Sequence, residues 1–108
     1  MRDYFAAKAL NGVLSDPKCN GGTEEVFRLM KIKGVALCPT LAAGDAIEQY
    51  RGWKKGSEPE PARITAKRQS FALALKVGVR ICMGGDVGVY AHGDNLREME
   101  LMVDYGMP

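Results

Sequence analysis

At 108 residues the chain has room for one domain at most, and 46% hydrophobic with 26% charged residues is the composition of a soluble globular protein. Fifteen basic against 13 acidic residues leave a net charge of +2. That balance, with the basic pairs Lys54-Lys55 and Lys67-Arg68 in separate segments and no aromatic platform beside them, argues against nucleic acid as a partner. No apolar run approaches the ~20 residues of a membrane span, and Met1-Arg2-Asp3-Tyr4-Phe5 lacks the apolar core of a signal peptide.

Met1 to Leu10 is compatible with a short helix broken by Asn11-Gly12, and Ser15 to Gly22 is turn chemistry. From Thr23 the signal sharpens. Thr23 suits an N-cap, Glu24 and Glu25 suit the first turn, and Val26, Phe27, Leu29 and Met30 give an apolar face. Lys31 and Lys33 occupy the last turn and Gly34 is the stop. Val35 to Leu41 then reads as a buried strand ended by Pro39, which has no N–H for a ladder. Ala42 to Tyr50 makes a helical turn or two. Gly52 to Pro61 (GWKKGSEPEP) is a polar loop, either a rim loop or a solvated insertion.

Ala62 to Val77 reads as a second helix with Ile64, Phe71 and Leu75 inward and Arg63, Lys67 and Arg68 wet. Gly78 closes it, and Val79 to Met83 is β-branched and apolar enough for a second buried strand. Asn95-x-x-Glu98 resembles a capping box, followed by Leu96, Met99, Met102 and Val103 as the apolar face of a last helix ending at Gly106. Helix, glycine and buried strand thus occur twice, with Gly34 and Gly78 equivalent. That alternation predicts an α/β fold with parallel strands covered by helices. Two or three parallel strands leave edges and faces bare, so the chain reads as a piece of something larger.

The three cysteines, Cys19, Cys38 and Cys82, form no C-x-x-C pair, which removes zinc knuckles and thioredoxin-like chemistry. Cys38 and Cys82 read as small core residues, and the sparse odd count fits a reducing, cytoplasmic compartment. Chemistry in parallel α/β folds gathers at the carboxyl ends of the strands, which singles out Asp86, in Gly84-Gly85-Asp86. The alternative is a turn aspartate. His92 is the only histidine, and an exposed loop histidine is its alternative reading.

Gly34–Ile47 (GVALCPTLAAGDAI), Gly84–Asn95 (GGDVGVYAHGDN) and Arg97–Met107 (REMELMVDYGM) resemble the C-terminal part of the metal-dependent amidohydrolase superfamily, near its imidazolonepropionase-like and prolidase-like branches. The resemblance spans about Gly21 to Pro108. It implies a partial (β/α)8 TIM barrel covering about the last two strands and their helices, over residues 23–108, with 1–22 unassigned. It also implies hydrolysis of an amide, such as a dipeptide or a cyclic amide, by water activated on a divalent metal, zinc by preference. Under it Asp86 is the acid after the eighth strand, touching the metal or its hydroxide and carrying the proton to the leaving amine. His92 and Tyr90 become rim or substrate contacts, and Thr40, ending the seventh strand, lines the mouth. The family draws its other ligands from histidines and a lysine or glutamate on earlier strands. Here SDPKCN stands where I-E-H-G would precede Gly21, and Gly85 replaces the usual Ser or Thr beside the aspartate. The chain alone is therefore expected to be inactive and to hold metal poorly, with the missing strands or a homo-oligomer as partner. The reading from another class is a small non-catalytic α/β module binding a partner through its open edges. A doubly wound domain with Asp86 as phosphoryl acceptor would want further acids at the end of a first strand, and Asp3 and Asp16 are poorly placed for that.

Overall fold

Four helices carry the regular structure in the computed structural model, which describes residues 23–108: α1 (Thr23–Lys33), α2 (Leu41–Tyr50), α3 (Ala62–Val77) and α4 (Arg97–Asp104). The expectations for Met1 to Leu10, for Ser15 to Gly22 and for Cys19 lie outside the described residues. No helix among those described is long and apolar enough to cross a membrane.

The helix ends obey local chemistry. Gly34 and Gly78 take positive φ (69° and 90°), the left-handed conformation glycine adopts without a steric penalty. The next N–H then turns back to a carbonyl five residues earlier, Val35 to Met30 at 2.9 Å and Val79 to Ala74 at 3.1 Å. The same closure recurs after α4, where Met107 N–H reaches the Met102 carbonyl. Helix α2 is longer than the turn or two expected, running ten residues from Leu41.

The segments after Gly34 and Gly78 overturn the expected α/β class and with it the partial (β/α)8 barrel. Among the described residues no sheet forms; Leu37 and Ile81 make one isolated parallel bridge. Leu37 N–H donates to the Arg80 carbonyl (2.8 Å) and Cys82 N–H to the Leu37 carbonyl (2.9 Å). The two apolar segments do lie side by side, in keeping with their pattern. Pro39 cannot extend the ladder on one side, Gly84-Gly85 ends the other segment, and among the described residues no third strand templates either. Helices do the burying instead.

α1 packs mainly on α3, and α2 packs on α4 and α3. Phe27, Met30, Leu37, Ala74 and Val79 form one apolar cluster; Leu41, Ala42, Ile64, Phe71, Leu101, Met102 and Tyr105 form the second. Ile81 touches both clusters. The face expected on α4 is rotated from the one observed. Leu96, Met99 and Val103 are exposed, while Glu98, Leu101, Met102 and Tyr105 turn inward. On α1, Leu29 is likewise exposed.

The loop from Gly52 to Pro61 is tied down rather than open. Lys55 Nζ meets buried Asp45 at 2.6 Å, and half-buried Trp53 packs on the second cluster. At the loop's end Arg68 bonds Glu60 (2.8 Å), the Asp104 carboxylate (3.2 Å) and the Asp104 carbonyl (3.0 Å). Its guanidinium also lies 4.2 Å from the centroid of the Tyr105 ring. Arg68, expected to be wet, therefore joins loop, α3 and α4.

Candidate functional site

Two residues other than glycine have positive φ among those described, Thr40 (48°) and Asp86 (58°). Each comes just after one of the bridged segments, at its carboxyl end. Such a conformation costs about 1–3 kcal/mol and persists where the surroundings impose it. Asp tolerates it better than most residues because its short polar side chain bonds locally. For Thr40 the imposing group is on another helix. Its own side chain makes no capping bond. Instead Glu98 of α4, fully buried, accepts from Leu41 N–H through Oε1 (2.8 Å) and from Ala42 N–H through Oε2 (2.7 Å). The first N–H groups of a helix have no partner within it, and a carboxylate there suits the helix dipole. Glu98 is thus the cap of α2, not the capping-box partner within α4 that its spacing predicts.

Burial pushes the Glu98 carboxyl above its ordinary range, offset in part by the Ala42 and Leu41 N–H groups and by Lys67. Lys67 is half-buried, not wet. Its burial pulls the ammonium below its ordinary value, with the Glu98 charge opposing the pull, Arg63 adding to it and Asp86 opposing it. A carboxyl whose folded value is raised binds its proton more tightly in the folded chain than in the unfolded one. The stability it adds is full below the unfolded value and declines as pH rises through the folded value. The margin of the natural chain over Glu98→Gln should accordingly be widest in acid and narrow towards neutral pH, as read from urea midpoints. A margin that widened with pH would reverse the sign assigned to Glu98.

Asp86 itself is exposed and makes no side-chain hydrogen bond or ion pair among the described residues. Its loop folds back through Val89 N–H to the Asp86 carbonyl and Gly88 N–H to the Tyr90 carbonyl. This return sets the Tyr90 hydroxyl against Gly85, where a Cβ would collide with it. The glycine that departs from the family pattern is therefore required by Tyr90. Tyr90 Oη is buried without a hydrogen-bond partner among the described residues, and burial, followed by the Glu98 and Asp86 charges, raises its pKa. Gly85→Ser should cost about 1–3 kcal/mol by overpacking, and Tyr90→Phe in the same chain should recover part of it. Equal urea midpoints for Gly85→Ser and the natural chain would show the loop yielding freely.

The sequence-selected residues do not converge on one cavity. A cleft of about 210 Å³ is lined by Tyr90 with Asp45, Gln49, Tyr50, Asp94 and Arg97, but not by Asp86, His92 or Thr40. His92 is exposed in the loop and makes no hydrogen bond or ion pair among the described residues. The sequence pattern does not mark Asp45 and Glu98 as buried or Lys67 as half-buried. Each sits at helical spacing from apolar neighbours, which is the one signal of their burial. No group of three or more His, Cys, Asp or Glu side chains among the described residues is arranged to hold a metal ion. These residues do not by themselves fit the divalent metal the resemblance implies. No family model, curated protein or solved structure matches the chain.

Proposed function

We propose that this chain supplies the proton-transferring acid, Asp86, of an enzyme of the metal-dependent amidohydrolase type that hydrolyses an amide in a dipeptide or a cyclic amide. The observation that supports the reading is the placement of Asp86: exposed, in left-handed backbone, just past the carboxyl end of the second of two parallel segments. A carboxylate without a hydrogen-bond partner among the described residues is available to take a proton from water and return it to a leaving amine. The resemblance of residues 84–95 and 97–107 to that superfamily supplies the substrate class. Any metal ligands would come from polypeptide beyond the described residues. A reducing, cytoplasmic setting suits the two thiols of the paired segments.

The test is hydrolysis of a panel of dipeptides and cyclic amides by the protein purified from its own source, with and without zinc and after chelation. Release of free amine from one class, lost on chelation, is the expected result. Absence of amide hydrolysis across the panel would end the proposal.

A second reading, a non-catalytic binding module, is favoured by Leu96, Met99 and Val103, which expose an apolar stripe along α4. It predicts a concentration-dependent assembly that Met99→Lys with Val103→Lys abolishes, read by sedimentation velocity. A monomer at all concentrations would remove self-association as the role of that stripe.

A further inference from the structure

Cys38 and Cys82 stand far apart in sequence, but the bridge between Leu37 and Ile81 makes them direct neighbours on the two parallel segments. Adjacent parallel strands are about 4.8 Å apart, within the Cα separation of about 4.4–6.8 Å that a disulfide spans. The two thiols lie near enough for Cys82 to act on the Cys38 thiol. Each thiol donates its one proton to a carbonyl, Cys82 Sγ to Leu37 at 3.5 Å and Cys38 Sγ to Gly84 at 3.7 Å. Around Cys38 there is little slack: a Cβ on Gly84 would sit 2.5 Å from its sulfur. Cys38 therefore props the first residue of the loop that carries Asp86.

We infer that Cys38 and Cys82 are a redox-responsive pair, closed to a disulfide by hydrogen peroxide, and that closure releases the loop from Gly84 to Tyr90. Cys82 is exposed and reacts first. Its thiolate sulfur attacks one peroxide oxygen, the O–O bond breaks, and the departing hydroxide takes a proton to become water, leaving a sulfenic acid. Cys38 sulfur then attacks the sulfenic sulfur. The S–O bond breaks, hydroxide leaves, and it takes the Cys38 proton as a second water. Two thiols lose two electrons and two protons, and one peroxide becomes two waters. Burial, with Cys82 beside it, raises the Cys38 pKa to about 11, which keeps Cys38 protonated and leaves the first attack on peroxide to Cys82. Turning the Cys38 sulfur towards Cys82 removes its contact with the Gly84 carbonyl. The inference is independent of whether Asp86 acts on an amide.

The experiment uses the full chain carrying Cys19→Ser, treated with one equivalent of hydrogen peroxide and mapped by mass spectrometry without reduction. The expected product has lost two hydrogens and links the Cys38 and Cys82 peptides within one chain. Amide hydrogen exchange across residues 84–90 should then be roughly tenfold faster than in the reduced chain, and return on adding dithiothreitol. In Cys82→Ser, Cys38 should stay unoxidised, which separates its resolving role from direct attack. Sulfinic acid at Cys82 with Cys38 still alkylatable after unfolding would overturn the inference. So would a disulfide that leaves exchange over residues 84–90 unchanged.

Discussion

Replacing Glu98 with alanine should destabilise the chain by about 3–5 kcal/mol, a large share of the about 5–15 kcal/mol typical of a small domain. The carboxylate bonds Leu41 and Ala42 N–H, whose residues are 1% and 3% exposed, so water cannot replace it without opening α2 from α4. A hydrogen bond to a charged group contributes about 1.5–3 kcal/mol, and a buried donor left bare costs a similar amount. The two contributions overlap, and the desolvation of Glu98 works against both, which keeps the total below their sum. Glu98→Gln keeps the shape and one acceptor oxygen, but its NH2 faces the other N–H; about half the loss should remain. Lys67 gives the matching control. With Glu98 gone, its half-buried ammonium loses a compensating charge, so Lys67→Met should recover stability in the Glu98→Ala chain and not in the natural one. Urea unfolding of the four chains measures the coupling. An Ala variant within about 1 kcal/mol of the natural chain would mean that α2 is held by its apolar contacts alone.

Glu98 and Lys67 also explain why half of the architecture is readable from the sequence and half is not. Gly34, Gly78 and Gly106 announce their helix ends because a left-handed closure is a local event, decided by the backbone freedom of one residue. Burial is not local. Ile64, Lys67, Phe71 and Ala74 form one stripe of α3, yet a lysine in such a stripe reads as solvent-facing. Glu98 lies on a similar stripe with Leu101, Met102 and Tyr105, so the sequence pattern points to a neighbouring face of α4. Each charge interrupts the apolar stripe that buries it. Apolar runs at 35–38 and 79–83 do indicate two extended segments that meet, but a run of residues cannot provide the neighbours a sheet needs. Asp86 is legible as an acid placed after an apolar run and two glycines. That Tyr90 folds over Gly85 is not legible, because the contact depends on the path of the whole loop.

Under the proposed amide-hydrolase reading, Asp86→Asn should lower kcat by about 10²–10⁴-fold, with little change in KM or in the unfolding midpoint. The choice of asparagine decides what the experiment means. At φ 58° the backbone of residue 86 is left-handed, and Asn occupies that region as readily as Asp. Alanine would add about 1 kcal/mol of backbone strain and confound chemistry with folding. Asp86 is also exposed and without a side-chain hydrogen bond or ion pair among the described residues, so no structural bond is lost with its charge. What Asn removes is the ability to accept and return a proton. Asp86→Glu restores a carboxylate one methylene further out, with the same backbone strain as alanine. A partial recovery of kcat despite a lowered midpoint would point to the carboxylate's chemistry rather than to the fold of the loop. If kcat and the midpoint fall together in Asp86→Asn, Asp86 holds the loop and the acid lies elsewhere. Should turnover be unchanged with the midpoint intact, Asp86 is a turn residue, and the amide-hydrolase reading loses the residue on which it stands.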